Sequence, residues 1–556
     1  MTTILDYRPR RLIDFWKHDG PSVYCGTMKG TYVLDQISAF IWERCDGQHT
    51  IARIIEELVQ ATGMDGREDI VKADVERLLV AWKDERFVIL NFNSLHAGSE
   101  YDEESIYAVD ELEPAVDILL VVPPSPNPMT WANLKVHSTF PLGIGTLSAV
   151  LQEQNYRVAM ANLWIRSMNP RSLTNLMEKA HPKVLGISSM TDNFPNGMTI
   201  ARIARQVLPE VKIICGGPHV TFTDIESMQR HPEIDVVVRS EGEFALLELM
   251  DYYIYGYGNL ERIQGITYRK GSDIYQNRSR PLIQNLDELP LPNRKQFAPV
   301  DGLLGLQTSR GCAERCIFCV ASSMSGGQVR TRSPEHVMDE VLHLYRLGMR
   351  HFFFQDDTLT TNVDRLRVIL EILERFDLNL EWSAESRVDV IDKDPLIFER
   401  MSRAGCIAVQ FGVEASSQDV LDQLHKNIHV DQISRAIYAG REAGLKVICT
   451  MLMGHPFDTP NTIQHSVSYA TKLIDQGAEV LFSIVIPFPG TALERTAGEL
   501  GLKVYPVDYS DYFVANAIMD TPRMTRREIR AHYFDAMRTL IIHNSKSKGK
   551  FTLEKA

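Results

Sequence analysis

Apolar residues change their spacing several times along this chain. In residues 1–95 they recur at helical intervals. Ile51, Ile54, Ile55 and Leu58 follow Thr50, a favourable N-cap, and Val75, Leu78, Leu79 and Trp82 lie on one face of DVERLLVAWKDE. Ahead of them, TYVLDQISAFIWERCDG reads as a strand, a turn and a helix ending at Gly47. The spacing predicts a small α+β unit with no catalytic constellation. Residues 96–113 break the pattern: from Glu100 to Glu113 there are seven acids and no Lys or Arg, the composition of a self-solvating linker.

Residues 114–255 alternate apolar, β-branched runs with helical stretches. The runs DILLVVPPS, KVLGISSM, VKIICGG and DVVVRS predict a parallel sheet with helices on both faces. Residues 256–300 are a connector, with a hairpin expected in GITYRKGSDIYQNRSRP and a Pro-rich stretch in LDELPLPNR. Residues 301–500 alternate again, with strands expected at GLQTS, HFFFQDD, LEWSAES, IAVQFGV, KVICTMLMG and VLFSIVIPF. Six strands with intervening helices fit a partial (β/α)6 barrel, whose chemistry belongs at the C-terminal strand ends. Residues 501–556 are expected to be helical and peripheral. The fold class is α/β: a Rossmann-like domain and a partial barrel behind a small N-terminal domain.

Length and charge narrow the function. The 556 residues have room for three or four domains. A net charge of −13 argues against a general nucleic-acid binder, and the run KSKGK at 546–550 reads as a solubilising tail. The start has no long apolar stretch, so neither a signal peptide nor a membrane span is expected. A cytoplasmic, reducing location follows, which makes the eight cysteines thiols or ligands before disulfides. Cys25, Cys45, Cys215, Cys406 and Cys449 are scattered and read as small buried hydrophobes.

The other three are not scattered. Cys312, Cys316 and Cys319 in SRGCAERCIFCV (309–320) are spaced C-x3-C-x2-C, just after strand GLQTS and the turn Arg310-Gly311. A structural zinc site wants four ligands, and the next candidate is His336. Three thiolates suit a 4Fe–4S cluster with one iron left open. A zinc knuckle and three structural thiols are the other readings. The stretch resembles the radical S-adenosylmethionine superfamily, and Phe318 before the third cysteine matches too. That resemblance implies that the open iron takes the amino and carboxylate groups of S-adenosylmethionine, whose cleavage yields a 5′-deoxyadenosyl radical.

Other strand ends add to the resemblance. Asp356 and Asp357 close HFFFQDD, where the family places a contact to the methionyl ammonium. Arg387 in WSAESRVD could pair with a carboxylate. Ser383 and Glu385 alternate with Ser386 and Arg387, so only one set faces inward. Glu414 in FGVE, MGHP (453–456) and PFPGT (487–491) end the later strands. Each charged residue alone could be a surface ion pair. As a set they resemble the cobalamin-dependent branch, which makes Phe318, Asp356, Asp357, Ser383, Glu385, Arg387 and Glu414 candidate S-adenosylmethionine contacts.

The succession FPLGIGTLSAVL, SSMTDN, GGPHVT and VVRSEGE resembles the cobalamin-binding domain of these enzymes. It implies cobalamin contacts at Leu142, Gly143, Ser188, Ser189, Thr191, Gly216, Gly217, Pro218, His219, Glu241, Gly242 and Glu243. The motif D-x-H-x-x-G is absent, so a lower axial His is not expected. A Rossmann-like domain without cofactor is the alternative. Residues 31–89 resemble the PqqD-like family, which implies a winged-helix-like N-terminal unit; its members bind leader peptides by strand addition to a sheet edge. Together the resemblances imply C-methylation of an unactivated carbon in a ribosomally made precursor peptide, with an electron donor such as flavodoxin or ferredoxin. The rivals are a non-methylating radical cyclisation or rearrangement, a small-molecule or lipid substrate, and a cobalamin- or peptide-binding sensor without turnover. A sensor would have no need of the cysteine triad.

Overall fold

The computed structural model describes residues 10–11, 16–19, 22–27, 30–34, 36–45, 49–62, 68–84, 88–89, 115–125, 141–163, 170–294 and 304–547. Two compact units emerge, Met1–Ser105 with Phe534–Ala556, and Ile106–Tyr533. In the first, strands Trp16–Asp19, Ser22–Thr27 and Gly30–Leu34 form an antiparallel sheet in that order. Helices Gln36–Arg44, Ile51–Thr62 and Glu68–Asp84 follow. The Thr50 hydroxyl accepts a hydrogen bond from Arg53 N at 3.2 Å, as its capping role predicts. The helical repeat then buries Ile51, Ile54, Ile55 and Leu58 with Trp42, Val75 and Leu79. The expected turn at Gly47 and the acidic stretch 96–113 lie outside the described residues.

The second unit contains two sheets. The first is built from β1 (Ile118–Val122), β2 (Val158–Asn162), β3 (Val184–Ser188), β4 (Lys212–Gly216), β5 (Val236–Val238), β6 (Ile266–Lys270) and β7 (Asp273–Gln276). Their order is β7-β6-β5-β4-β3-β1-β2, parallel from β5 through β2. Four of these parallel strands are the ones expected. The fifth, β2, is VAMAN, whose Ala and Asn residues favour strands weakly and hide it from pattern reading. The expected hairpin is β6 and β7, and it pairs antiparallel with β5. The sheet therefore continues past residue 255 into the connector. Period-two alternation splits β1 between two cores: Leu119 and Val121 pack with Leu173, Phe194 and Met198, while Ile118 and Leu120 pack with Ile144, Leu151 and Leu246. Because β1 pairs with both β2 and β3, the topology reverses there, which opens a crevice beyond the carboxyl ends of β1 and β3.

The second sheet contains all six expected strands: β8 (Leu304–Leu306), β9 (His351–Phe354), β10 (Glu381–Ser386), β11 (Cys406–Glu414), β12 (Lys446–Met453) and β13 (Glu479–Ile484). They run parallel in chain order, and β8 does not pair with β13, so the barrel is open. Residues 501–525 depart from expectation. In place of helix they hold an antiparallel pair, Lys503–Val504 with Met519–Asp520, and a turn at Tyr509–Asp511. Among the described residues no helix is long and apolar enough to cross a membrane.

Trp382 is a keystone of the barrel. It is fully buried, its ring lies edge-on to Phe354 at 4.9 Å, and its indole N–H donates to the Ala404 carbonyl at 2.7 Å. Trp382→Ala should cost about 3–5 kcal/mol, read as a lower urea midpoint for unfolding of the barrel.

Candidate active site

The cysteine loop is held by backbone bonds, which leaves its thiols available. Gly311 N donates to Asp357 Oδ2 at 2.9 Å, Ile317 N to the Leu424 carbonyl at 3.1 Å, and Leu493 N to the Ile317 carbonyl at 2.8 Å. Gly311 is obligatory: its φ is +98°, and a Cβ there would sit 2.1 Å from the Gln328 carbonyl oxygen. The segment thus leaves β8 and turns sharply before presenting Cys312, Cys316 and Cys319, all free and partly exposed. Burial raises all three thiol pKa values, that of Cys316 to about 12, while the ammonium of Lys426 pulls Cys316 and Cys319 the other way. Phe318 is half-buried beside them.

The strand-end residues divide into those that open at the mouth and those that build it. Asp356 is turned inward, which corrects the expected ammonium contact. Its carboxylate accepts from Thr308 N at 3.1 Å, from the Thr308 hydroxyl at 2.8 Å and from the Ser309 hydroxyl, so it fixes the turn beneath the cysteine loop. Asp357 is the acid that remains exposed. Ser383 is buried and Glu385, two residues on, is half-buried and accepts from Gln410 Nε2 at 3.1 Å. Burial, then the nearby Asp357 carboxylate, push Glu385 up to about 7. Ser386 faces elsewhere and bonds the Thr360 hydroxyl at 2.9 Å. Arg387 does pair with carboxylates, but with Asp389 at 2.9 Å and with Glu314 of the cysteine loop at 3.6 Å. It also donates to the Asn427 carbonyl at 2.8 Å, so its role is to anchor the loop.

Glu414 forms a buried ion pair with Lys426 at 2.6 Å. Burial works against the Lys426 charge, but Glu414 and Cys316 outweigh it and raise its pKa. Lys426 is a charge beside the cysteine loop that sequence reading missed. It sits in LHKN, within a loop that carries no motif, and only the tertiary fold brings it to Cys316. Beyond β12, His455 is buried and its Nε2 lies 3.2 Å from Asp458 Oδ2. These two line a cavity of about 380 Å³ with Ser416, Thr462, His465 and Tyr469, and no cysteine-loop residue lines it.

The strand ends of the first sheet meet the barrel. Glu241 and Glu243, expected to contact cobalamin, are committed to arginines. Arg310 donates to Glu241 at 3.0 Å and to Glu243 at 2.7 Å, and Arg330 donates to Glu241 at 2.7 Å. Carboxylates buried in an interface need such partners, which explains the correction. Gly242, between them, is half-buried. Leu142 lines a gap of about 30 Å³ beside Arg310 and packs at the same seam. At Gly217, with φ +99°, a Cβ would fall 2.5 Å from the Ser189 carbonyl oxygen. The missing side chain there admits the neighbouring loop, where the sequence suggested a ligand. His219 is buried between Phe194 at 4.3 Å and Tyr509 at 4.4 Å, with Nδ1 3.3 Å from the Thr191 hydroxyl. Burial drives it down to about 3, so it stays neutral. Tyr509 lies in the segment expected to be peripheral. Gly143, with open space where a Cβ would be, and Ser188, Gly216 and Pro218, all half-buried or exposed, border the crevice end. Bridging the loops after β1 and β3, the Ser125 hydroxyl donates to Asp192 at 2.6 Å, a pairing that the sequence does not reveal.

These donor sets fit the expected cofactors. Among the described residues no His, Cys, Asp or Glu side chains group around a single metal ion. Three separate thiols suit a polynuclear cluster, in which each iron takes its own thiolate. The β1–β3 reversal, next to Ser188 and Gly216 at the ends of β3 and β4, is where a sheet of this topology takes a large planar cofactor. Three family models match the chain: the radical SAM superfamily over residues 306–470, the B12 binding domain over 136–250, and coenzyme PQQ synthesis protein D over 23–88. An uncharacterised methyltransferase of Pyrococcus horikoshii is 31% identical over 423 residues, covering 74% of this chain and 89% of its own. An anaerobic magnesium-protoporphyrin IX monomethyl ester cyclase of Rubrivivax gelatinosus is 25% identical over 385 residues, 67% of this chain and 68% of its own. Among solved structures, the radical S-adenosylmethionine methyltransferase TsrM of Kitasatospora setae, with cobalamin and a 4Fe–4S cluster bound, superposes with TM-score 0.59 at 18% identity over 75% of this chain and 85% of that one.

Gly311→Ala should abolish cluster assembly while leaving the protein folded, read as iron and sulfide per chain after anaerobic reconstitution. Glu385 binds its proton more tightly folded, at about 7, than its ordinary 4.5. Between those values the folded state holds the extra proton, so stability falls as pH rises through the window and levels off above it. Glu385→Gln should flatten that decline in denaturant titrations of apoprotein across the window.

Proposed function

Because the chain belongs to the cobalamin-dependent radical S-adenosylmethionine methyltransferases, we propose that it methylates an unactivated carbon of a residue in a ribosomally made precursor peptide. The observation that supports a peptide substrate is the fusion of this machinery to a segment that matches coenzyme PQQ synthesis protein D. In the unit that contains that segment, strands Trp16–Asp19, which precedes the match, and Gly30–Leu34, which lies within it, each have one partner among the described residues. An extended leader could add to either edge through main-chain hydrogen bonds. Tethering the leader would also raise the concentration of the residue to be modified.

When bound, the cluster and S-adenosylmethionine supply a 5′-deoxyadenosyl radical, and cobalamin supplies a carrier for the methyl group. The chain's own residues do the holding. Cys312, Cys316 and Cys319 are the proposed cluster ligands. Lys426, held by Glu414, offsets the negative charge that deprotonated thiols would bring to a recessed site. Asp357 and Glu385 are acids placed to accept from an ammonium at the mouth. Asp356, Arg387 and Asn427 keep the loop in place from below and beside it, Asn427 by donating to Glu314 at 3.0 Å. Ser188, Gly143 and the Ser125–Asp192 pair border the crevice proposed for cobalamin. A flavodoxin or ferredoxin is the proposed electron donor.

The similarity to a monomethyl ester cyclase supports a second reading, radical cyclisation without methyl transfer. One assay separates the two. Reconstituted protein is incubated anaerobically with cobalamin, S-adenosylmethionine, a reductant and a candidate precursor peptide. Methylation adds about 14 Da per methyl to the peptide. Formation of 5′-deoxyadenosine with a peptide that loses hydrogen and gains no methyl would favour the cyclase. Cys316→Ala should stop 5′-deoxyadenosine formation in either case.

A further inference from the structure

We propose that Arg310 is a positioning residue that sets how the cobalamin-carrying sheet seats against the cysteine loop. Arg310 lies two residues before Cys312, and its backbone forms a short antiparallel ladder in which Arg310 pairs with Arg330. The guanidinium leaves that ladder and spans two carboxylates that flank one turn of the other sheet, Glu241 at 3.0 Å and Glu243 at 2.7 Å. Glu243 opens the helix Glu243–Met250 directly after β5. Arg330 completes the contact from the other side, donating to both oxygens of Glu241 at 2.7 and 2.8 Å and to the Ile283 carbonyl at 2.9 Å. Two cations and two anions close the network.

The partners are well enclosed. Glu243 is 5% exposed and Arg330 is 6% exposed. Burial works against the Arg310 charge, but Glu243 and Glu241 outweigh it and hold its pKa up. A planar fork can engage two carboxylates in fixed directions, which a lysine cannot do. A second contact sits across the seam, where Tyr509 packs on His219 and its hydroxyl reaches Glu226 at 3.3 Å. That contact is aromatic and half exposed, and it leads to no cysteine. Arg310 is the direct connection from cluster loop to sheet. Rigid geometry between two cofactors matters because small displacements of reacting groups lower rates steeply.

This inference rests on the reading that the sheet holds cobalamin, so its test uses readouts that need no methyl transfer. The full-length protein is reconstituted with its cluster, and cobalamin binding is titrated anaerobically for Arg310→Gln, Arg310→Lys, Glu243→Gln and the parent. Hydrogen exchange is followed across residues 238–246. If the proposal holds, iron per chain is unchanged in all three variants. Cobalamin affinity falls at least tenfold in Arg310→Gln and Glu243→Gln, less in Arg310→Lys, and exchange in 238–246 speeds up in the same order. Affinities within twofold of the parent would overturn it. So would loss of iron in Arg310→Gln and Glu243→Gln alike, because the residue would then merely scaffold the cysteine loop. Failure of the parent itself to bind cobalamin would instead refute the reading beneath it. If Arg310→Gln does not fold, Glu243→Gln tests the same contact from the sheet side.

Discussion

The arrangement depends on one buried exchange of charge, the two carboxylates of Glu241 and Glu243 against the guanidinium of Arg310. Parallel sheets direct their chemistry to their carboxyl ends. Two such sheets can cooperate only if those ends meet, and strand ends are loops with little apolar area to hold them together. Ion pairs in an enclosed seam solve this with directionality where burial alone would slide. A buried pair adds little net stability, but losing one partner strands the other, so the contact acts mainly to specify geometry. That Arg310 stands beside Gly311, whose missing side chain the turn requires, ties this geometry to the place where the cysteine loop begins.

The mouth shows the same logic on a smaller scale. Charges that could have been read as ligands are mostly matched to one another. Glu414 is satisfied by Lys426, Arg387 by Asp389 and Glu314, and Asp356 by hydroxyls and a backbone N–H. What remains without an ion-pair partner is a short set: three thiols, Asp357, which accepts only from Gly311 N, and the half-buried Glu385, which accepts only from Gln410. A site that must receive a charged small molecule is best left with few competing internal partners.

Much of this was legible before the fold was known, because periodicity reports local burial. All six barrel strands and four of the five parallel strands of the first sheet follow from apolar runs, and the cysteine spacing stands out in any context. The remainder depends on contacts between residues far apart in sequence. Nothing in EGE reveals that its carboxylates meet an arginine 67 or 69 positions later. Lys426 looks like any loop lysine until the chain returns it to Cys316. QDD offers two acids of equal standing, and only the neighbouring Thr308 and Ser309 decide that one turns inward. The strand β2 was hidden for a different reason: burial at a sheet margin can be met by Ala and Asn, residues that leave no apolar run.

PFPGT, which looked like another strand-end motif, turns out to face the other sheet. Its Gly490 lies so close to the ring of Phe222 that a Cβ would come within 2.3 Å. The width of the gap between the two halves is therefore recorded partly at a glycine pressed against a ring. Such a position is a gauge: its φ of +85° keeps it glycine, and the ring of Phe222 rests against it. Lineages that enlarge the space for bulkier substrates would be expected to alter Phe222 and keep the glycine, while the cysteines and acids of the mouth stay as they are.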